Sequence, residues 1–139
     1  MDFKSRIDKL SSEFVGWRRH LHAHPELAFE EKITAAFIAA KLRDFGLEVH
    51  EGIGGTGVVG LLRRGNGPMV GLRADIDALP IVEATGLAYA SQTEGKMHAC
   101  GHDGHTAMLL GAARCCARAY RNAAGKRFGR LHLPAGGRE

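Results

Sequence analysis

At Gly46 the hydrophobic rhythm of this 139-residue chain changes from a period that suits helices to one that suits strands, and that change limits the folds open to it. Before it, Ile7, Leu10, Phe14, Trp17 and Leu21 recur at spacings of three and four, which predicts an amphipathic helix ending before Pro25. EEKITAAFIAAKLRDFG predicts a second helix, with acidic residues in its first turn, Ile33, Phe37, Ala40 and Phe45 inward, and Gly46 as its stop. After it, LEVHEGI, TGVVGLLRR and MVGLRADI have strand character, and GNGP at 65–68 predicts a hairpin between the last two. A long polar, glycine-containing segment follows Pro80, and Asp103 or Thr106 caps a third helix through TAMLLGAARCCARAY. Two helices, then strands including a hairpin, then a helix make an α/β fold, whose polar site residues belong on loops at strand ends.

Composition narrows the class. With 45% hydrophobic residues the chain can bury one core and is not disordered throughout. The N-terminal segment MDFKSRIDKLSSEF holds no apolar run long enough for a signal peptide or a membrane span, so a cytoplasmic location and no membrane partner are expected. Of the three cysteines, Cys115 and Cys116 are chain neighbours and too close for ordinary disulfide geometry, so reduced thiols are expected. The net charge of +4 divides unevenly: residues 1–113 sum to −2 and residues 114–139 to +6. A basic tail binds phosphates through charge, but this one has neither interleaved aromatic residues nor a recognised motif, and no nucleic-acid partner is expected.

KMHACGHDGHTAML, residues 96–109, places one cysteine and three histidines within eight residues and leads directly into apolar sequence. Cys100 and His102 are one residue apart, so an extended loop can aim both at one point. A thiolate and a neutral imidazole suit zinc and similar divalent ions, and a helix beginning at the loop favours an anionic ligand there. The alternative is a crowded loop of capping or solvated histidines, since two ligands do not make a site. GLRADIDALP adds Asp75 and Asp77, two apart and on one face of a strand if the strand persists. Like charges side by side call for a cation or hydrogen bonds, or else they are solvated turn residues ahead of Pro80.

WRRHLHAHPELAFEE, GLRADIDALP and MHACGHDGHTAMLLGAA, in that order, resemble the metal-dependent amidohydrolases that include hippurate hydrolases, N-acyl-amino-acid deacylases and indoleacetyl-amino-acid hydrolases, relatives of aminoacylase and the carboxypeptidase G type. The likeness covers residues 10–113. It implies the N-terminal part of a zinc-peptidase-like α/β/α catalytic domain, with two divalent ions (Zn, Mn or Co) per site, Cys100 and His102 as metal ligands, and Asp77 orienting the site from behind. It implies a less defined role for Asp75, a helix cap at Asp103, packing or support of the ligands from behind for His105, and a purely structural use of His20, His22 and His24 against Pro25. The implied reaction is hydrolysis of the amide bond of an N-acyl amino acid, a small-molecule substrate, by a homo-oligomer.

The resemblance also implies parts that this sequence lacks. The family's general base is the first glutamate of a pair in a stretch resembling FIFQPAEE, whereas this chain closes on HLPAGGRE. One codon set for FIFQPAEE, read from its third base, encodes HLPAGGR, the residues at 132–138. A change of reading frame near Ala113 is therefore expected, leaving residues 1–113 as the N-terminal part of the catalytic domain, residues 114–139 as an aberrant basic tail, and the dimerisation domain absent. On that expectation the isolated chain is weakly active or inactive. The alternatives are a non-catalytic remnant that binds one metal weakly and, further off, a basic nucleic-acid-binding module.

Overall fold

The structure, a computed structural model, describes residues 3–63, 67–122 and 131–135. Its elements run α1 (Phe3–Asp8), α2 (Ser11–Ala23), α3 (Lys32–Asp44), β1 (Glu48–Ile53), β2 (Gly57–Leu62), β3 (Val70–Gly71), α4 (His102–Asn122) and β4 (Leu131–Ala135). The α/β order predicted from the periodicity is present.

The first predicted helix is two. The chain breaks at Lys9 and Leu10, where the Leu10 N–H donates to the Ile7 carbonyl at 2.9 Å and the Ser11 hydroxyl to the Asp8 carbonyl at 2.8 Å. Serine side chains that compete for backbone groups favour a new start over continuation. α2 then buries Trp17, Leu21, His22 and Ala23.

α3 is helical as predicted, but its buried face is Thr34, Ala35, Ile38, Ala39 and Leu42, while Ile33 is 64% exposed and Ala40 also faces out. Its first turn holds no acidic residue of its own. The carboxylate of Glu26 accepts from the Ile33 and Thr34 N–H groups at 3.1 and 2.7 Å, satisfying donors that the helix cannot pair internally. Gly46 ends the helix as expected: at φ +84 it occupies the left-handed region that suits glycine at a helix C-terminus. Small residues on the inner face let α3 approach the sheet. A Cβ built on Gly60 of β2 would stand 3.1 Å from methyl groups of Leu42 and Leu47.

The sheet has the order β1-β2-β4-β3. β1 and β2 form an antiparallel hairpin, with Glu48 opposite Leu61 and a bulge between Glu51 and Ile53. The hairpin predicted across GNGP is not formed between neighbours. β4 lies between β2 and β3, antiparallel to the first (Val58 opposite Ala135) and parallel to the second (Val70 opposite Leu131). The chain does reverse direction between β2 and β3, but a strand from much later in the sequence takes the adjoining place; residues 64–66 of the expected turn lie outside the described residues. MVGLRADI contributes only Val70–Gly71 as named strand, and beyond it Ala74, Ile76 and Ala78 are buried in alternation.

α2 packs on α4, and α3 packs on β1, β2 and α4. The core they close contains Trp17, Ile38, Leu42, Phe45, Val58, Leu62, Ile76 and Leu110. Burying side chains of this size contributes about 1.5–3 kcal/mol each, against which the ordering of the chain must be set. α4 runs through Ala113 to Asn122 without a break. None of the described helices is long and apolar enough to cross a membrane.

Candidate metal centre

The extended segment after β3 is held at its end by two short backbone pairings: the Ala78 N–H donates to the Glu26 carbonyl at 2.7 Å, and Leu79 and Met97 exchange bonds at 2.9 and 3.0 Å. The second pairing carries the loop 98–101 to the end of that segment. Gly101, at φ +84, turns the chain into α4, whose first backbone bonds reach back to its own carbonyl.

This arrangement brings His102 and Asp77 together. His102 Nδ1 lies 3.0 Å from Asp77 Oδ1 and 3.0 Å from the Asp77 carbonyl oxygen. Both partners only accept, so Nδ1 carries the proton and Nε2 carries the lone pair. Their side chains are 16% and 12% exposed, which leaves the ring edge accessible from one side. The burial alternation puts Asp75 on the same side as Asp77, as expected, but Asp75 turns to Arg73 Nη2 at 2.9 Å, and its carbonyl accepts from the Thr106 hydroxyl at 3.1 Å. Cys100 is a free, exposed thiol on the loop, and Cys115 and Cys116 are also unbridged. His105 is exposed, its ring centroid 6.0 Å from that of His102.

Two expectations for the motif residues require correction. Asp103 is not a cap: it lies inside the first turn of α4, with its side chain fully buried, and Oδ2 accepts from Arg18 Nε at 2.8 Å and pairs with His22 Nδ1 at 2.8 Å. His22 is more than a helix-end residue, since its Nε2 also reaches Glu83 Oε1 at 3.1 Å. Only His24 serves the helix end, donating from Nδ1 to the His20 carbonyl at 2.7 Å. Sequence reasoning did not find this cluster. Its one visible signal is an ionisable side chain, His22, three residues before a proline on a helix whose apolar stripe includes Leu21.

Glu83 is also held by the Thr85 hydroxyl and, at 2.6 Å, by the Ser91 N–H. The Thr85 bond above all, then the Ser91 N–H and His22, pull its carboxyl from 4.5 down to about 2. A depressed carboxylate stabilises the fold above its unfolded value and loses that contribution as pH falls through its folded value. Urea unfolding should therefore show Glu83→Gln less stable than the parent above pH 4.5, with the gap closing toward pH 2. A gap independent of pH would contradict the assignment. His98 is buried, and that burial pushes its imidazole below the usual range. Neither of its ring nitrogens has a hydrogen-bond partner among the described residues, nor does Asp103 Oδ1.

The donor chemistry fits a divalent ion as half of a site. An imidazole fixed through Nδ1 by a carboxylate, with Nε2 free to bind, is the usual state of a metal-ligating histidine, and a thiol stands two residues before it. Among the described residues, however, no three His, Cys, Asp or Glu side chains converge as a metal-binding group.

Helices packed on a mixed sheet, with the Asp77–His102 pair in the segment that follows β3, make up the fold around the candidate site. At 13% identity a tripeptidase from Staphylococcus aureus shares this fold with a TM-score of 0.61 over 88% of this chain and 35% of its own. Closer relatives narrow the class. Residues 71–135 match Peptidase family M20/M25/M40, a match that continues past Ala113. The chain is 53% identical over 115 residues to the hippurate hydrolase of Campylobacter jejuni, and 47% identical over 114 residues to an N-acyl-L-amino acid amidohydrolase of Geobacillus stearothermophilus. These alignments cover 82% and 81% of this chain but 30% and 31% of those enzymes. The YXEP protein of Bacillus subtilis, described as a dinuclear metal binding peptidase of the M20 family, superposes with a TM-score of 0.82 at 39% identity, covering 92% of this chain and 35% of its own. The chain is thus a relative of the M20 amidohydrolases in both sequence and fold, and spans about a third of their length.

Proposed function

We propose that this chain is the N-terminal part of a divalent-metal-dependent amidohydrolase that cleaves the amide bond of N-acyl amino acids. Cys100 and His102 are its metal ligands, and Asp77 holds the His102 ring. The observation that carries this reading is the 3.0 Å contact between His102 Nδ1 and Asp77 Oδ1, which engages one ring nitrogen and leaves Nε2 as the one that could bind an ion. The likeness to hippurate hydrolase and to the N-acyl-L-amino acid amidohydrolase supports the substrate class. A bound divalent ion (Zn, Mn or Co, two per complete site) would supply a Lewis acid and an activated water. The chain's own part is to hold one imidazole through Asp77 and to offer the Cys100 sulfur on the loop two residues before it. The substrate is a small molecule, the complete enzyme is a cytoplasmic homo-oligomer, and neither nucleic acid nor membrane is a partner.

No stretch of this chain matches the motif that carries the general-base glutamate, so turnover by the 139 residues alone should be slight or absent. The second reading, a remnant that binds one ion weakly, is favoured by the two-donor count of the described site. Hydrolysis of hippurate and N-acetyl amino acids with added zinc, manganese or cobalt separates the two. Metal-dependent turnover lost in Cys100→Ala supports the enzyme, and metal binding without turnover supports the remnant. The reading-frame change after Ala113 is a separate proposal, tested by the nucleotide sequence across that codon: it fails if no single-frame shift restores a Glu-Glu stretch and further histidines.

A further inference from the structure

Buried ionisable side chains from separate parts of the chain meet beside the candidate ligands, and nothing in the hydrolysis described above uses them. His22, on the inner face of α2, reaches Asp103 Oδ2 at 2.8 Å and Glu83 Oε1 at 3.1 Å; its side chain is 4% exposed and theirs are 0% and 3%. Arg18, one helical turn earlier, gives its Nε–H to the same Asp103 oxygen at 2.8 Å. Burying charged groups is costly even when they are paired, and apolar side chains of equal volume often stabilise a core as well or better. What the cluster supplies that leucine or phenylalanine would not is a fixed geometry.

Its points of attachment show which geometry. Asp103 follows His102 directly in the first turn of α4, and Glu83 sits in the long loop that returns to Met97 and so to the Cys100 loop. Positions i and i+4 of α2 therefore grip the residue after one candidate ligand, while Asp77 grips that ligand itself.

We infer that His22, assisted by Arg18, is a positioning residue for the metal half-site: by holding Asp103 it fixes the first turn of α4 and so the direction in which His102 presents Nε2. The inference rests on Cys100 and His102 being ligands. It is tested by Co2+ binding to the 139-residue chain, followed through the thiolate-to-cobalt charge-transfer band and the d–d spectrum, with circular dichroism confirming that each variant is folded. The parent should show a band that Cys100→Ala lacks. His22→Leu should bind Co2+ roughly tenfold more weakly with an altered d–d spectrum, the lower end of what losing a supporting residue costs a metal site. His22→Asn, whose side-chain amide N–H takes the place of the Nδ1–H that faces Asp103, should recover most of the affinity, and Arg18→Met, at a half-exposed position, should shift it in the same direction as His22→Leu by less. If His22→Leu does not fold, His22→Gln, whose longer amide takes the place of Nε2 toward Glu83 and gives up Asp103, carries the comparison with His22→Asn. Cobalt affinities and spectra identical to the parent's in folded variants, with only stability lowered, would overturn the inference and leave the ligand assignment standing. A parent without any Cys100-dependent band would overturn both.

Discussion

Replacing His102 with alanine is expected to weaken Zn2+ or Co2+ binding by more than about a hundredfold, because it removes a ligand and not merely a group that supports one. Asp77→Ala should cost less, about tenfold, since the ring remains and keeps the Asp77 backbone carbonyl as an acceptor but loses the carboxylate. The order of the two effects is the informative result. If His102 were only a hydrogen-bonded loop residue, both variants would bind metal as the parent does, and if Asp77 were itself the ligand, its removal would be the more damaging. Isothermal titration with each variant, and with Cys100→Ala alongside, measures the order directly. His102→Ala binding with parental affinity would remove the basis of the proposed metal centre.

Trp17→Ala should be the most damaging single substitution in the core, at about 3–5 kcal/mol. Trp17 is 5% exposed, and its ring centroid lies 5.2 Å from that of Phe14 and 5.7 Å from that of Phe45. The side-chain cations of Lys41 and Arg114 approach its ring at 5.8 Å, so the indole ties α2 to both α3 and α4. Whole domains are typically stable by about 5–15 kcal/mol, so a loss of this size removes a large share. The chain has one tryptophan, so unfolding of the variant has to be followed by far-ultraviolet circular dichroism rather than indole fluorescence. A urea midpoint within error of the parent's would show that α4 and α3 hold together without this contact.

What the sequence made legible, and what it did not, divides by distance along the chain. The helix stop at Gly46, the helix after His102 and the pairing partner of the MHACGHDGH motif in GLRADIDALP were all visible in local chemistry, in that motif spacing and in the family resemblance. The face of α3 was not. Counting large apolar residues placed Ile33 inward, whereas the buried face includes Ala35 and Ala39, small residues that a hydrophobic count underweights, and Leu42, whose methyl groups lie over Gly60. Leu10 lay in the apolar stripe, but nothing in its spacing marked the break between α1 and α2. The clamp of His22 and Arg18 on Asp103 joins residues 81 and 85 positions apart, and no periodicity carries that information. The same holds for the expected GNGP hairpin: the turn reverses the chain, but the neighbour of β2 is chosen by a strand some seventy residues further on.

That choice has a consequence for synthesis. Because β4 fills the gap between β2 and β3, the sheet cannot close until Leu131–Ala135 have left the ribosome. During that interval the facing edges of two early strands stand open to any extended peptide nearby, including a second nascent copy. Rapid synthesis of the stretch between β3 and β4 shortens that interval, and a chaperone that shields open strand edges should raise the yield more than one that acts after β4 is in place.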